Sequence, residues 1–144
     1  ELASMRVTEQ VDAIRTLGAN PDAKLVVPRV VAATLMFPLV TLIAVIFGIA
    51  GGITIAWAEF SVSPRAFYEA AVSTVDLTDF ASGFFKPFFF GFGVAVLGCH
   101  HGLTCGQGTV GVGDATTRAV VNISIMVVVA DFLLTRVFAS MPDI

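Results

Sequence analysis

Residues 30–58, VVAATLMFPLVTLIAVIFGIAGGITIAWA, contain no charged side chain. Coiled as a helix, this run would be roughly 43 Å long at about 1.5 Å per residue, more than the hydrocarbon core of about 30 Å. Arg29 and Glu59 bracket it, and Trp57 stands where an interfacial aromatic belongs. It reads as a transmembrane helix, taken with its lead-in as 28–58. Pro38 predicts a kink inside it, tolerable because neighbouring helices can satisfy the freed carbonyl. Gly48 and Gly52, four residues apart, with Gly51 beside them, leave two readings open. They form a smooth patch that lets another helix approach closely, or they are the ordinary composition of a membrane helix.

The rest of the chain agrees with this opening. Of 144 residues, 56% are hydrophobic and only 13% charged, whereas a soluble domain carries about 25% charged residues. The mean hydropathy is +0.90. Such a chain is an integral membrane protein. A formal charge of −3 without any basic cluster excludes a nucleic-acid partner. The two cysteines, Cys99 and Cys105, make neither a disulfide framework nor a recognisable zinc pattern. The chain opens ELASMR, without an initiator Met or the pattern of a signal peptide, so further chain is expected upstream.

Two more spans follow. One runs from Phe80 to Leu103 and begins FASGFFKPFFFGFG; the other runs over 117–138. Between the first and second spans, EFSVSPRAFYEAAVSTVDLTD (59–79) is mixed in character and predicts a connection with a short helix over Pro64–Ser73. The architecture expected is therefore all-α: one amphipathic extramembrane helix over 1–20 followed by three transmembrane helices. Arg6, Arg15, Lys24 and Arg29 precede the first span, whereas the 59–79 connection has Arg65 against Glu59, Glu69, Asp76 and Asp79. Cations concentrate on the cytoplasmic side. The N-terminal helix should thus be cytosolic, the 59–79 connection outside (periplasmic in a bacterium), the 104–117 loop inside and the C-terminus outside.

Within ELASMRVTEQVDAIRTLGANP (1–21), Val7, Val11, Ile14 and Leu17 recur at i, i+4, i+7 and i+10, one stripe of a helix. Ser4 or Thr8 can cap its start, and Gly18 with Asn20-Pro21 ends it. The segment is too short and too charged to span. A helix lying on the bilayer should be rich in Lys and Arg on its polar face. Here Arg6 and Arg15 are set against Glu1, Glu9 and Asp12, which favours docking on a protein.

Two charges fall inside the spans. Lys86 lies about 9 Å from the outer end of the second span and Asp131 roughly 10 Å from the outer end of the third, at helical rise. Antiparallel spans bring them to matching depth. Such groups cost roughly 2.5–3.5 kcal/mol each on insertion scales, so they pair or line a cavity. The alternative is that Lys86 snorkels to the interface and Asp131 turns to Arg136. Neither reading makes them catalytic.

The stretch GCHHGLTCGQGTVGVGD (98–114) literally contains G-x-G-x-x-G at Gly106, Gly108 and Gly111. No strand precedes it, so it does not read as a dinucleotide site. The chain contains no G-x-x-x-x-G-K-[ST] either. Cys99, His100, His101 and Cys105 raise a haem or metal site as an alternative, but adjacent histidines point to different faces of a helix. The glycines predict a tight, irregular turn.

Three stretches carry a family resemblance: MRVTEQVDAIRTLGANPDAKLVVPR (5–29), GVGDATTRAVVNISI (111–125) and ADFLLT (130–135). Together they span nearly the whole chain, and they resemble the MlaE/YrbE permeases of bacterial lipid-transporting ABC systems, which have relatives in chloroplasts. The resemblance implies the C-terminal part of an inner-membrane permease that moves phospholipids between inner and outer membranes, with no catalytic residue, metal or cofactor of its own. It implies that 1–20 is a coupling helix docked on a separate cytosolic ATPase subunit, which binds the ATP, with Glu9, Gln10, Asp12 and Arg15 in the contact. Lys86 and Asp131 would belong to the lipid path. Further implied partners are a second permease copy, a periplasmic MCE-domain lipid-binding subunit and, as an additional candidate, a small cytosolic STAS-type subunit. Two other classes stand beside this one: a haem- or metal-binding membrane redox subunit, and a non-transporting membrane scaffold.

Overall fold

A computed structural model describes residues 1–140, the side chains of Leu77 and Thr78 excepted. The expected outer position of the C-terminus falls on 141–144, outside the described residues. The fold is all-α, and three of its helices are long and apolar enough to cross a membrane. The first, α3 (Val27–Phe60), is continuous with a wide π-helical turn at Asp22–Val26 that carries the chain into the span. The other two are α5 (Leu77–Leu103) and α6 (Gly108–Ala139). At about 1.5 Å per residue each exceeds the hydrocarbon thickness of about 30 Å.

The central helix is α5, packed against α3 on one side and α6 on the other. Gly91 makes the α3 contact possible. A Cβ there would fall 3.0 Å from both the Ala33 carbonyl oxygen and the Phe37 Cβ, so only a residue without a side chain lets the two backbones approach this closely. The glycines singled out on α3 serve otherwise. Gly48 and Gly51 have open space around them, and Gly52 lies beneath the ring of Phe67.

Phe67 belongs to α4 (Pro64–Thr74), which begins with proline in its first turn and is capped by the Ser63 hydroxyl accepting from the Ala66 N–H at 3.2 Å. Gly52 lies eight residues before the end of α3. The Phe67 contact therefore folds α4 back along that helix, closing an apolar hollow that Ile49, Tyr68, Val72 and Phe80 also line.

The N-terminal segment departs from the single helix expected over 1–20. It forms two short helices, α1 (Leu2–Val7) and α2 (Gln10–Thr16), broken at Thr8-Glu9. Glu9 has a left-handed backbone, φ 59°. The apolar stripe breaks with it: Val11 is buried and Val7 and Ile14 half-buried, whereas Leu17 lies past the end of α2 and is exposed. The region expected as a loop over 104–117 also differs. Helix α6 starts at Gly108, so the non-helical connection is only Thr104–Gln107.

Candidate functional site

Helices α5 and α6 run antiparallel, which brings Lys86 and Asp131 side by side. Lys86 Nζ lies 3.1 Å from Asp131 Oδ1, the contact that matched depth predicts. A third partner completes the cluster. Lys86 Nζ donates to Thr135 Oγ1 at 2.7 Å, and the Thr135 hydroxyl donates in turn to the Asp131 carbonyl at 2.6 Å. Sequence reasoning missed Thr135, although its i+4 spacing from Asp131 places it on the same helix face.

The two charges are unequally covered. The Lys86 side chain is 19% exposed and that of Asp131 55%. The ammonium is drawn into the α5–α6 seam, while the carboxylate keeps an open side on α6. Arg136 does not pair with Asp131; its guanidinium lies over the Phe132 ring, 5.7 Å from the centroid. The cluster can hold an ion pair within an apolar bundle and offer acceptor capacity at its edge. Asp131 brings no second acid, and nothing in the grouping is a nucleophile–base pair, so no hydrolytic chemistry follows from it.

A second grouping lies at the end of the bundle that carries α1 and α2. Helix α1 packs across α5 and α6. Leu2 sits in the notch left by Gly102, and Ala3 accepts a long hydrogen bond from Cys105 Sγ at 3.5 Å. Arg29, at the start of α3, reaches Glu1 Oε1 at 2.7 Å. These contacts seat α1 on all three long helices.

Helix α2 is more open. Glu9, Gln10, Asp12 and Arg15 are all exposed. Asp12 lies between two guanidinium groups, 2.8 Å from Arg6 and 3.6 Å from Arg15. The structure thus brings Asp12 and Arg15 together with Arg6, which sequence reasoning did not place in the group. Among the described residues, Glu9 and Gln10 make no side-chain hydrogen bond or ion pair.

The Cys-His stretch is dispersed. Cys99 is buried, Cys105 half-buried, and both are free thiols. His101 Nε2 meets Asn122 Nδ2 at 2.9 Å, joining α5 to α6. Among the described residues, no three His, Cys, Asp or Glu side chains come together as a metal-binding group.

Three apolar spans, an ion pair set within them and a charged segment seated across one end define a polytopic α-helical membrane protein. The chain belongs to the MlaE permease family: the family described as Permease MlaE matches residues 1–137. A probable ABC transporter permease protein of Rickettsia prowazekii is 40% identical over 138 residues, 96% of this chain and 53% of the relative. One from Synechocystis is 38% identical over 135 residues, 94% of this chain and 51% of the relative. The chloroplastic protein TRIGALACTOSYLDIACYLGLYCEROL 1 of Arabidopsis thaliana is 36% identical over 138 residues, 96% of this chain and 39% of its own length. The chain spans about half the length of the first two relatives.

Proposed function

We propose that the chain forms part of a bacterial inner-membrane permease that moves phospholipids between inner and outer membranes, driven by ATP hydrolysis on a separate subunit. On this reading α1–α2 face the cytoplasm and dock on the ATPase through Glu9, Gln10, Asp12 and Arg15. Lys86 and Asp131 lie on the lipid path. The 59–79 connection faces the periplasm, where an MCE-domain lipid-binding subunit receives or delivers lipid, and a second permease copy completes the membrane part. A small cytosolic STAS-type subunit is a further partner of the assembly.

The observation that carries this reading is the carboxylate of Asp131, paired with Lys86 yet 55% exposed along an apolar span. A charge in that position suits a polar cavity through which a headgroup passes better than a surface bathed by acyl chains. Family membership supports the permease assignment, and one relative bears the name of a glycerolipid.

The test is purification of the complex from membranes, with mass spectrometry of copurifying lipids and proteins. Phospholipid retained through detergent exchange, together with a Walker-motif ATPase, is expected. A preparation with neither, or one showing a haem absorbance spectrum or bound metal, would sink the proposal. A Lys86→Met/Asp131→Leu double variant that transports normally would reduce the chain to a scaffold.

A further inference from the structure

The three long helices do not end together on the side away from α1. Lys86 stands nine residues past the start of α5 and Asp131 eight before the end of α6, so their 3.1 Å contact sets Leu77 and Ala139 at one level. Helix α3 passes that level. Its Ile49 shares the wall of a hollow with Asp76 and Phe80, which flank the start of α5, and eleven more residues follow before α3 ends at Phe60. At about 1.5 Å per residue, the last part of α3 rises some 16 Å above the ends of its neighbours. Phe67, held over Gly52, brings α4 back along this projecting piece.

The bilayer core does not follow α3 to its end. Helix termini leave backbone groups that hydrocarbon cannot satisfy, so Leu77 and Ala139 mark the outer limit of the core. Asp76, Asp79 and Arg136 stand within a turn of that level, as a boundary with water requires. Arg29 marks the other limit, lining a hollow with Gly98 of α5 and Val120 of α6. Ile49 is twenty residues from Arg29, about 30 Å at helical rise, which is one hydrocarbon thickness. Residues 50–58 are nevertheless uncharged. Trp57 there is 63% exposed, and Val72 on α4 is 58% exposed. The hairpin of α3 and α4 thus carries apolar surface beyond the core.

We propose that this projecting hairpin holds an acyl chain of a phospholipid as the lipid leaves or enters the adjoining leaflet, the chain lying in the hollow of about 450 Å³ between α4, α3 and the start of α5. The proposal rests on the permease reading above and gives it a place where the tail is gripped outside the core. Position argues for lipid. Ile49 and Phe80, at the base of the hollow, lie at the edge of the hydrocarbon core, so a chain enters without crossing water. Chemistry argues the same way. Phe67, Val72 and Val75 supply apolar walls, and the polar side chains of the lining are Tyr68 and Asp76 alone. A polypeptide is the weaker occupant, because its backbone N–H and C=O groups need partners that a single phenol and a single carboxylate do not provide.

The test uses the complete permease complex in phospholipid nanodiscs. A nitroxide side chain at 57 should be relaxed by a water-soluble nickel chelate, and one at 43, on the same helix inside the core, by oxygen. Protection at 57 equal to that at 43 would overturn the projection and the proposal with it. Benzoylphenylalanine at 72 should cross-link to phospholipid, whereas the same probe at 65, where Arg65 pairs with Glu69 on the polar side of α4, should not. Cross-links from 72 to protein alone, whether a partner, a second copy or another part of the permease, would overturn the acyl chain as occupant. Val72→Glu should slow phospholipid transfer by ~tenfold, since a carboxylate is disfavoured in an apolar hollow, with the amount of complex in the membrane unchanged. Normal transfer in Val72→Glu, alongside loss of transfer in Asp131→Leu, would overturn the hollow and leave the permease reading standing. If the parent complex transfers no phospholipid, the permease reading falls and this inference falls with it.

Discussion

The Cβ of Leu2 lies 2.8 Å from the point where a side chain on Gly102 would begin. This contact locks the N-terminal helix to the central span. Gly102→Leu has no room unless α1 lifts, and overpacking of this kind costs about 1–3 kcal/mol. Lifting α1 also breaks the Cys105–Ala3 contact. Maleimide should therefore label Cys105 faster in Gly102→Leu than in the parent protein. Equal labelling rates would show that α1 is not held by this notch.

The Lys86–Asp131–Thr135 cluster should behave as a unit. Lys86→Met strands a carboxylate and Asp131→Leu strands an ammonium, each costing up to about 3 kcal/mol within the bilayer. The double variant should recover most of that stability, because no charge is left without a partner. Thermal unfolding in detergent reads the cycle. Additive losses, with the double variant least stable of all, would mean that the two charges do not support one another.

Thr135→Val keeps the shape of the side chain and removes its oxygen. A loss of about 1 kcal/mol is expected, the scale of one hydrogen bond. The same substitution in the Lys86→Met background should cost less, because the ammonium that Thr135 accepts from is then gone.

Glu9 holds a backbone conformation that costs an L-residue about 1–2 kcal/mol. Glu9→Gly should relieve it, slowing amide hydrogen exchange in α2, and Glu9→Val should raise exchange there because a branched Cβ is least tolerated. Faster exchange in the glycine variant would instead mean that the carboxylate holds α2 in place.

Phe67 ties α4 to α3 at Gly52. Phe67→Ala should cost about 1–3 kcal/mol, the burial value of such a ring, and should open the Pro64–Thr74 segment to protease. Unchanged digestion would mean that α4 is held by its flanking connections.

The spans were legible because membrane insertion depends on little beyond length and apolarity, both written plainly in residues 30–58. The Lys86–Asp131 contact was legible for a related reason: antiparallel helices convert equal depth into proximity. The break at Glu9 was not, since no local signal marks a left-handed glutamate in a sequence whose periodicity runs unbroken from Val7 to Leu17. The early start of α6 was hidden by its glycines, each costing about 1 kcal/mol in a helix. Tertiary packing offsets that cost here: α1 packs against α6, and Ala115, Thr116 and Ala119 line a hollow together with Leu2 and Ala3. Leu17 left the apolar stripe that periodicity predicts because α2 ends at Thr16, one residue before it.

One continuous helix carries both Lys86 and Gly102. They are sixteen residues apart, about 24 Å at helical rise, so α5 joins the end that carries α1 to the ion pair through one unbroken helix. A slip of one full turn along its axis, about 5.4 Å relative to α6, would carry the 3.1 Å Lys86–Asp131 contact beyond hydrogen-bond reach. A one-turn displacement delivered at Leu2 would thus arrive at the other end as an unlatched charge.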